Sequence, residues 1–236
     1  MTTRKEEAIA DNVKSLEEMA DLVLIQLTLL EKFMSLADRN EMDNILSEIE
    51  KNENKIDEFE VIISEKFINS IILYQPVASD IRKLNSVYRI SINLERIGDI
   101  VLNIIHSIES IKETAEYEAM QNVLMNMLVS GVTMVEKSLL SFLNNDDSYA
   151  EWTIKNDEVV DEMNRKLLIN SVSRAKVSEK TREMLLSYMD LKNIITNMER
   201  LADHATNIAE SSIYSMQGTD IRHRGIGTIH PKNENT

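Results

Sequence analysis

The residues of this chain that could do chemistry are pairs of acids four positions apart. That spacing places both carboxylates on one face of an α-helix, one turn apart, where like charges repel each other. Carboxylate oxygens are the ligands that Mg²⁺, Mn²⁺ and Ca²⁺ prefer, and iron and zinc also accept them. The pairs that we predict to bind metal are Glu53/Asp57, Glu95/Asp99, Asp157/Asp161 and Glu199/Asp203.

These four pairs occupy matching positions of an internal repeat. Residues 93–104 align with residues 197–208 at an offset of 104 positions, and six of the twelve residues are identical. The same offset aligns residues 52–58 with 156–162, without a gap between the two blocks, whereas an indel is needed near Asn40. The plain interpretation is a duplicated three-helix unit.

Chance alone does not account for the number of pairs. Random placement of the acids predicts roughly two acid-x-x-x-Asp matches, and six occur. The two without a repeat counterpart end in Asp11 and Asp21, and we interpret them as solvated helix faces. Because duplication kept the other four in place while neighbouring residues diverged, we interpret those as sites of metal or other specific polar binding.

Two positions beside the acids add detail. Gly98 lies inside a predicted helix, where Gly costs about 1 kcal/mol relative to Ala, and the second half has Ala202 there. Close approach of another backbone would explain the glycine. Arg96 and Arg200 follow the first acid of their pairs. They are interpreted either as counter-charges within the clusters or as ordinary surface arginines.

Histidine usage argues against a redox di-metal enzyme, which needs Glu-x-x-His on two inner helices. His204 follows Glu199 by five residues, which turns it away from that acid, and His106 shares the stripe of Asp99 and Asn103. We interpret both histidines as hydrogen-bonded helix residues. The sequence contains no Gly-rich phosphate loop, Gly-x-Ser-x-Gly or His-Glu-x-x-His motif, so we predict no catalytic residues.

Composition narrows the class of protein. The 236 residues carry a net charge of −14, which disfavours nucleic acid as a partner. The absence of Cys excludes disulfides and thiolate metal sites. The apolar core that a signal peptide needs does not follow the first residues, Met1-Thr-Thr-Arg-Lys-Glu-Glu. The richest apolar stretch, 22–30, is too short to cross a bilayer. We therefore expect a cytoplasmic protein without a transmembrane segment, which reaches the inner membrane only through protein partners.

Apolar residues recur four and three positions apart over long stretches, which is typical of long helices packed at shallow angles. With two Pro and five Gly in the chain, we predict an elongated all-α protein of two pseudo-symmetric three-helix bundles. The domains would be residues 1–112 and 113–218, followed by a flexible C-terminal tail, 219–236. The predicted helices are 5–38, 41–74, 77–111, 115–144, 148–176 and 178–216.

Four segments of the sequence resemble the PhoU family of phosphate transport regulators. They are Gln75-Pro-Val-Ala-Ser-Asp-Ile-Arg82, Asn93-Leu-Glu-Arg-Ile-Gly-Asp99, residues 198–210 and residues 213–223. The resemblance covers about residues 10–224, and the segment 198–210 is its most specific part. Gln75-Pro76 has no copy in the second half, so no function of that loop carries over to the second half.

The resemblance implies two three-helix bundles and multinuclear clusters of iron or zinc held by the acid-x-x-x-Asp motifs. Glu53, Asp57, Glu95 and Asp99 would bind metal in one bundle, and Asp157, Asp161, Glu199 and Asp203 in the other. It further implies a homodimer that is a negative regulator of the phosphate-starvation response. Such a protein would link the ATPase subunit of the phosphate ABC transporter to a sensor histidine kinase, without catalysis of its own.

Three other interpretations stay open at this point. A metal-dependent hydrolase or oxidase would use the same carboxylates around an open coordination position. A plain coiled-coil scaffold would explain the apolar periodicity but not the acids kept in matching positions. A PhoU-like adaptor could also serve a different transporter or kinase.

Overall fold

The computed structural model describes residues 4–36, 38–111, 114–174 and 181–222, and these residues form six long helices without a strand. The helices are α1 Arg4–Ser35, α2 Arg39–Tyr74, α3 Ala78–Ser110, α4 Thr114–Asn144, α5 Asp147–Arg174 and α6 Thr181–Gln217. The predicted all-α class and the six helices are confirmed. Their ends agree within a few residues, and the predicted ends at 176 and 178 lie outside the described residues.

Helices α1, α2 and α3 pack on one another, as do α4, α5 and α6, and the two groups meet mainly where α3 lies along α6. These two helices run antiparallel. The Ser86 hydroxyl donates to the Ser211 carbonyl at 2.8 Å, and Asn93 bonds to His204 near the middle of α3. A 33-residue helix is about 50 Å long, so the molecule is elongated.

The predicted apolar stripes form the core. In α3 the fully buried positions of the stripe are Val87, Ile90, Leu94, Ile97, Val101 and Ile104, and Leu84 and Ile105 beside it are also buried. Ile108 and Ile111 are only partly buried at the end of the stripe. The stripe is buried from two sides, because α3 contacts both its own bundle and α6.

Local sequence explains where several helices end. The Asp38 side chain caps α2 by accepting from the backbone N–H groups of Asn40 and Glu41. Gln75 ends α2 in the left-handed region at φ 45°, and Gly218 adopts φ 72° after α6. Helix α3 begins at Ala78, so Pro76 belongs to the connection between α2 and α3.

Helix α4 contains a second apolar segment besides residues 22–30. This segment, Tyr117–Asn144, is long and apolar enough by length and composition to cross a membrane. Nearly half of the most apolar window is buried inside the protein, where Leu124, Met127, Leu128 and Val135 face the core. Contacts of α4 with α1, α5 and α6 explain this composition.

The chain stays packed for a few residues beyond α6. Ile221 is buried against Ala150, Ala209 and Ile213. Arg222 pairs with the carboxylate of Asp220. Residues 223–236, the larger part of the predicted flexible tail, lie outside the described residues.

Candidate metal centres

The first carboxylate cluster lies between α2 and α3. Glu53 on α2 is buried. The negative charges of Asp57, Asp99 and Glu95 act on its carboxyl group and raise its pKa. The four predicted ligands of this bundle are therefore neighbours. Burial is the main cause that raises the pKa of Glu53 from 4.5 to about 7. A hydrogen bond from Gln26 partly opposes it, and the other three acids add to it. The sequence therefore places a carboxylate in a site that disfavours its ionisation.

The sequence left open whether Arg96 is a counter-charge of the cluster or an ordinary surface arginine, and its contacts favour the first. Its Nε atom is 3.3 Å from Glu95 Oε2, and its guanidinium is 3.3 Å from Asp99 Oδ2. It is thus a counter-charge at the rim of the cluster. Burial and then Asp99 nevertheless raise the pKa of Glu95, which the arginine lowers only in part.

The second cluster also consists of four acids, one Glu and three Asp, between α5 and α6. Burial, and then the neighbouring Asp203 and Asp161, raise the pKa of Asp157 from 3.8 to about 6. Burial and then Glu199 and Asp161 raise that of Asp203, with Arg200 opposing. The four predicted ligands of this bundle are therefore also neighbours.

The donor chemistry and the unsatisfied atoms fit a bound cation. Among the residues that the structure describes, Glu53 Oε1 and Asp157 Oδ1 are buried carboxylate oxygens without a hydrogen-bond partner, whereas Glu95 Oε2 is paired with Arg96. A buried anionic oxygen without a donor is costly, and a metal ion would satisfy it. Within the described ranges, however, no three Asp, Glu or His side chains converge as a ligand set. Mutual repulsion keeps such carboxylates apart unless a cation lies between them.

Two residues beside the clusters were not identified from the sequence as contributing to them. Gln26 on α1 is fully buried and donates from Nε2 to Glu53 Oε2 at 2.7 Å. Thr206 lies near Asp157, outside good hydrogen-bonding geometry, and lowers its pKa slightly. The signal for Gln26 was present, because it interrupts the apolar stretch 22–30 at a position that faces the core.

The histidine and asparagine neighbours lie away from the carboxylates. His204 Nδ1 is 3.0 Å from Asn93 Oδ1, and burial, with Arg200 and Arg96 nearby, lowers its pKa to about 4. The ring is therefore neutral at pH 7 and joins α6 to α3, as expected for a hydrogen-bonded helix histidine. Asn103 and His106 line a polar groove between α3 and α6.

Similarity to known proteins decides the family. The model of the PhoU domain matches residues 16–108 and again residues 124–212. A phosphate-specific transport system accessory protein PhoU homolog from Aquifex aeolicus is 32% identical over 90% of this chain and 96% of its own length. The chain belongs to the PhoU family. A PhoU homolog 1 from Thermotoga maritima is 29% identical over 87% of both chains.

Solved PhoU structures share the fold. PhoU from Pseudomonas aeruginosa matches with a TM-score of 0.72 and 23% identity, over 90% of this chain and 99% of that one. The PhoU regulatory protein from Streptococcus pneumoniae gives the same TM-score at 20% identity, over 92% and 99%. The PhoU fold predicted from the sequence is thus confirmed.

The raised pKa values predict how stability depends on pH when metal is absent. Because the folded protein holds protons at Glu53 and Asp157 more tightly than the unfolded chain does, the free energy of unfolding should fall as pH rises from about 4 to 7. Glu53→Gln should raise it by about 1–2 kcal/mol at pH 8, after a discount for partial solvation, and much less at pH 5.

Urea unfolding at both pH values in the presence of a chelator would measure this effect. Glu58→Gln removes the same charge from an exposed position of α2 and serves as the control. A Glu53→Gln protein with the same pH dependence as the control would contradict the prediction.

Proposed function

We propose that this protein is a regulatory accessory protein of a phosphate-specific transport system. The observation that carries the proposal is that relatives named as such accessory proteins align over nearly the whole chain, 86–96% of their own length in three cases. In this role it limits phosphate uptake and restrains the phosphate-starvation response while phosphate is plentiful. It acts as a non-catalytic adaptor, on the cytoplasmic side of the membrane, between the ATPase subunit of the transporter and a sensor histidine kinase.

The physical requirement for such an adaptor is a difference in affinity between partner states. A protein that binds the non-signalling kinase more tightly than the signalling one shifts the population toward the former, without any reaction of its own. The elongated shape supports this role, because long helix faces give room for two partners at once.

An exposed apolar surface at one end of the first bundle supports protein contact. Ile72 and Leu73 on α2 are each 66% exposed, and Val77 in the α2–α3 connection is 61% exposed, with Val61 and Ile68 along the same helix. We call these five residues the α2 end patch. They expose on the order of 500 Å², in the range of the largest apolar patch on an ordinary monomer, which is often functional.

Two lysines near the α2 end patch form ion pairs within the protein. Lys5 pairs with Asp80 at 2.6 Å, and Lys66 pairs with Asp11 at 2.8 Å. On a chain of net charge −14, exposed Glu65 lies between Val61 and Ile68, so the α2 end patch is an apolar surface with an acid at its edge, and it is smaller than the ~800 Å² that each partner buries in a stable interface. We assign the patch to the ATPase subunit of the transport system, since the relatives are named as accessories of that system.

Metal belongs to the proposal as a structural component. The two carboxylate clusters would hold iron or zinc, which would neutralise acids on facing helices and couple metal binding to stability. The ligands in one bundle would be Glu53, Asp57, Glu95 and Asp99. Those in the other would be Asp157, Asp161, Glu199 and Asp203. We also propose that the protein works as a homodimer.

The test of the regulatory function is a phosphate-starvation reporter such as alkaline phosphatase. In a host that lacks this gene and grows in abundant phosphate, we expect high reporter output that returns to baseline when the gene is restored. A catalytically inert adaptor should also show no phosphoester turnover as a purified protein. Unchanged reporter output in the deletion strain would contradict the proposal.

A further inference from the structure

Gly98 lies directly beneath the carboxylate of Glu53. A Cβ atom at position 98 would overlap Glu53 Oε2, and it would lie 2.9 Å from Oε1 and 3.0 Å from Cδ. Real Cβ atoms do not approach other atoms so closely, so an alanine there would push the carboxylate aside. The neighbour that requires this glycine is therefore an acid side chain and not, as expected from the sequence, another backbone.

The second bundle has a different pair of residues at the two aligned positions. The repeat aligns Glu53 with Asp157 and Gly98 with Ala202, and Ala202 is almost fully buried. At these aligned positions the second bundle has one more methyl group on α6 and an acid one methylene shorter on α5. The two acids also differ in burial, since Glu53 is buried and Asp157 is partly buried.

A third helix fixes the Glu53 carboxylate in the first bundle. Gln26 on α1 donates to Oε2 at 2.7 Å, which leaves Oε1 buried and without a hydrogen-bond partner. Glu53 is only 7% exposed as a residue, so its side chain has few other positions to occupy. In the second bundle Asp157 is only partly buried, and its hydroxyl neighbour Thr206 makes no good hydrogen bond.

We propose that Gly98 and Gln26 are positioning residues that hold the Glu53 carboxylate in place, so that the two clusters are non-equivalent cation sites. The inference rests on the proposed metal binding. A carboxylate held in its binding position loses less freedom when a cation arrives, so the first bundle binds a divalent cation more tightly than the second.

Titration of the metal-free protein with Zn²⁺ tests the proposal. The wild-type protein should bind in two phases. Gly98→Ala should weaken the tighter phase at least tenfold, because the new methyl group displaces the carboxylate. The double variant Gly98→Ala with Glu53→Asp copies the pairing of the second bundle, and it should recover binding with an affinity close to that of the weaker phase.

Ala202→Gly is the matched control, because it changes the second bundle alone and should leave the tighter phase unchanged. Gln26→Met keeps the side-chain length without the donor, and it should also weaken the tighter phase. A Gly98→Ala titration that superimposes on the wild type, or a double variant no better than the single one, would overturn the proposal.

Unfolding of the metal-free variants separates this inference from the proposed function. The effects of Gly98→Ala and Glu53→Asp on the unfolding equilibrium should be non-additive by at least fivefold, since the two side chains touch. If the wild type binds no Zn²⁺, the metal part of the proposed function fails, and with it the non-equivalence of two cation sites. In that case the non-additivity of the two substitutions tests only whether Gly98 positions the Glu53 carboxylate. Additive effects would exclude that role.

Discussion

Replacing Asp99 and Asp203 with asparagine is expected to remove most of the bound metal and to lower the thermal midpoint of the metal-loaded protein. Each substitution takes one charged ligand from one cluster, so both sites weaken. A cation at about 1,000 times its Kd stabilises a folded protein by about 4 kcal/mol. For a chain of this size, loss of that amount corresponds to a midpoint lower by on the order of 10 °C.

The same variant should behave in the opposite way without metal. Asp99 and Asp203 raise the pKa of neighbouring carboxyl groups by repulsion, so their removal should leave the metal-free midpoint equal to or above that of the wild type. Elemental analysis and calorimetry with and without chelator would measure both effects. Asp21→Asn with Asp43→Asn removes the same charge outside the clusters and is the control. Unchanged metal stoichiometry in the Asp99/Asp203 variant would exclude this ligand assignment.

The second large effect is expected at the α2 end patch. Leu73→Glu with Val77→Glu places two charges on a surface that we assign to the ATPase subunit, and burying an unpaired carboxylate in such an interface costs several kcal/mol. The variant should therefore derepress the phosphate-starvation reporter as fully as deletion of the gene. Both side chains are more than half exposed, so the thermal midpoint should change little.

Co-purification of the variant with the transporter, measured beside the reporter, would show where the loss arises. Val129→Glu adds a charge at an exposed apolar position of α4, and it should retain both activities. If the Leu73/Val77 variant still co-purifies with the transporter but changes from dimer to monomer, the patch is the face between two copies of this chain, and the assignment to the transporter is wrong.

The apolar periodicity was sufficient to predict the helices and the stripes of the core. Spacing four and three positions apart identifies one face of a helix, and for α3 that face is the buried one. The same spacing also describes Val61, Ile68 and Ile72, which are exposed. Periodicity therefore reports an apolar face, whereas the packing of the other helices decides whether the face is covered within the chain.

The candidate sites were predictable to a smaller extent. The internal repeat identified the eight acids from the sequence. In the structure the four acids of each bundle lie close enough to shift one another's pKa. The reason for Gly98 could not be predicted, because the atom that excludes a methyl group comes from α2, 45 residues earlier in the chain. Gln26 was similarly hidden, since a pattern along α1 does not say which acid it meets.

The antiparallel pairing of α3 with α6 limits where residues can be inserted into the chain or deleted from it. Contacts run from Arg82 against Gly218 to the groove shared by Ser107 and Asp190, along most of α3. One inserted residue would turn everything beyond it by about 100° and would misalign every later contact. We therefore expect deletions and insertions to be tolerated between helices and to disrupt packing within this pair. The internal repeat is consistent with this expectation, because the alignment of its two halves needs an indel only near Asn40, at the α1–α2 connection.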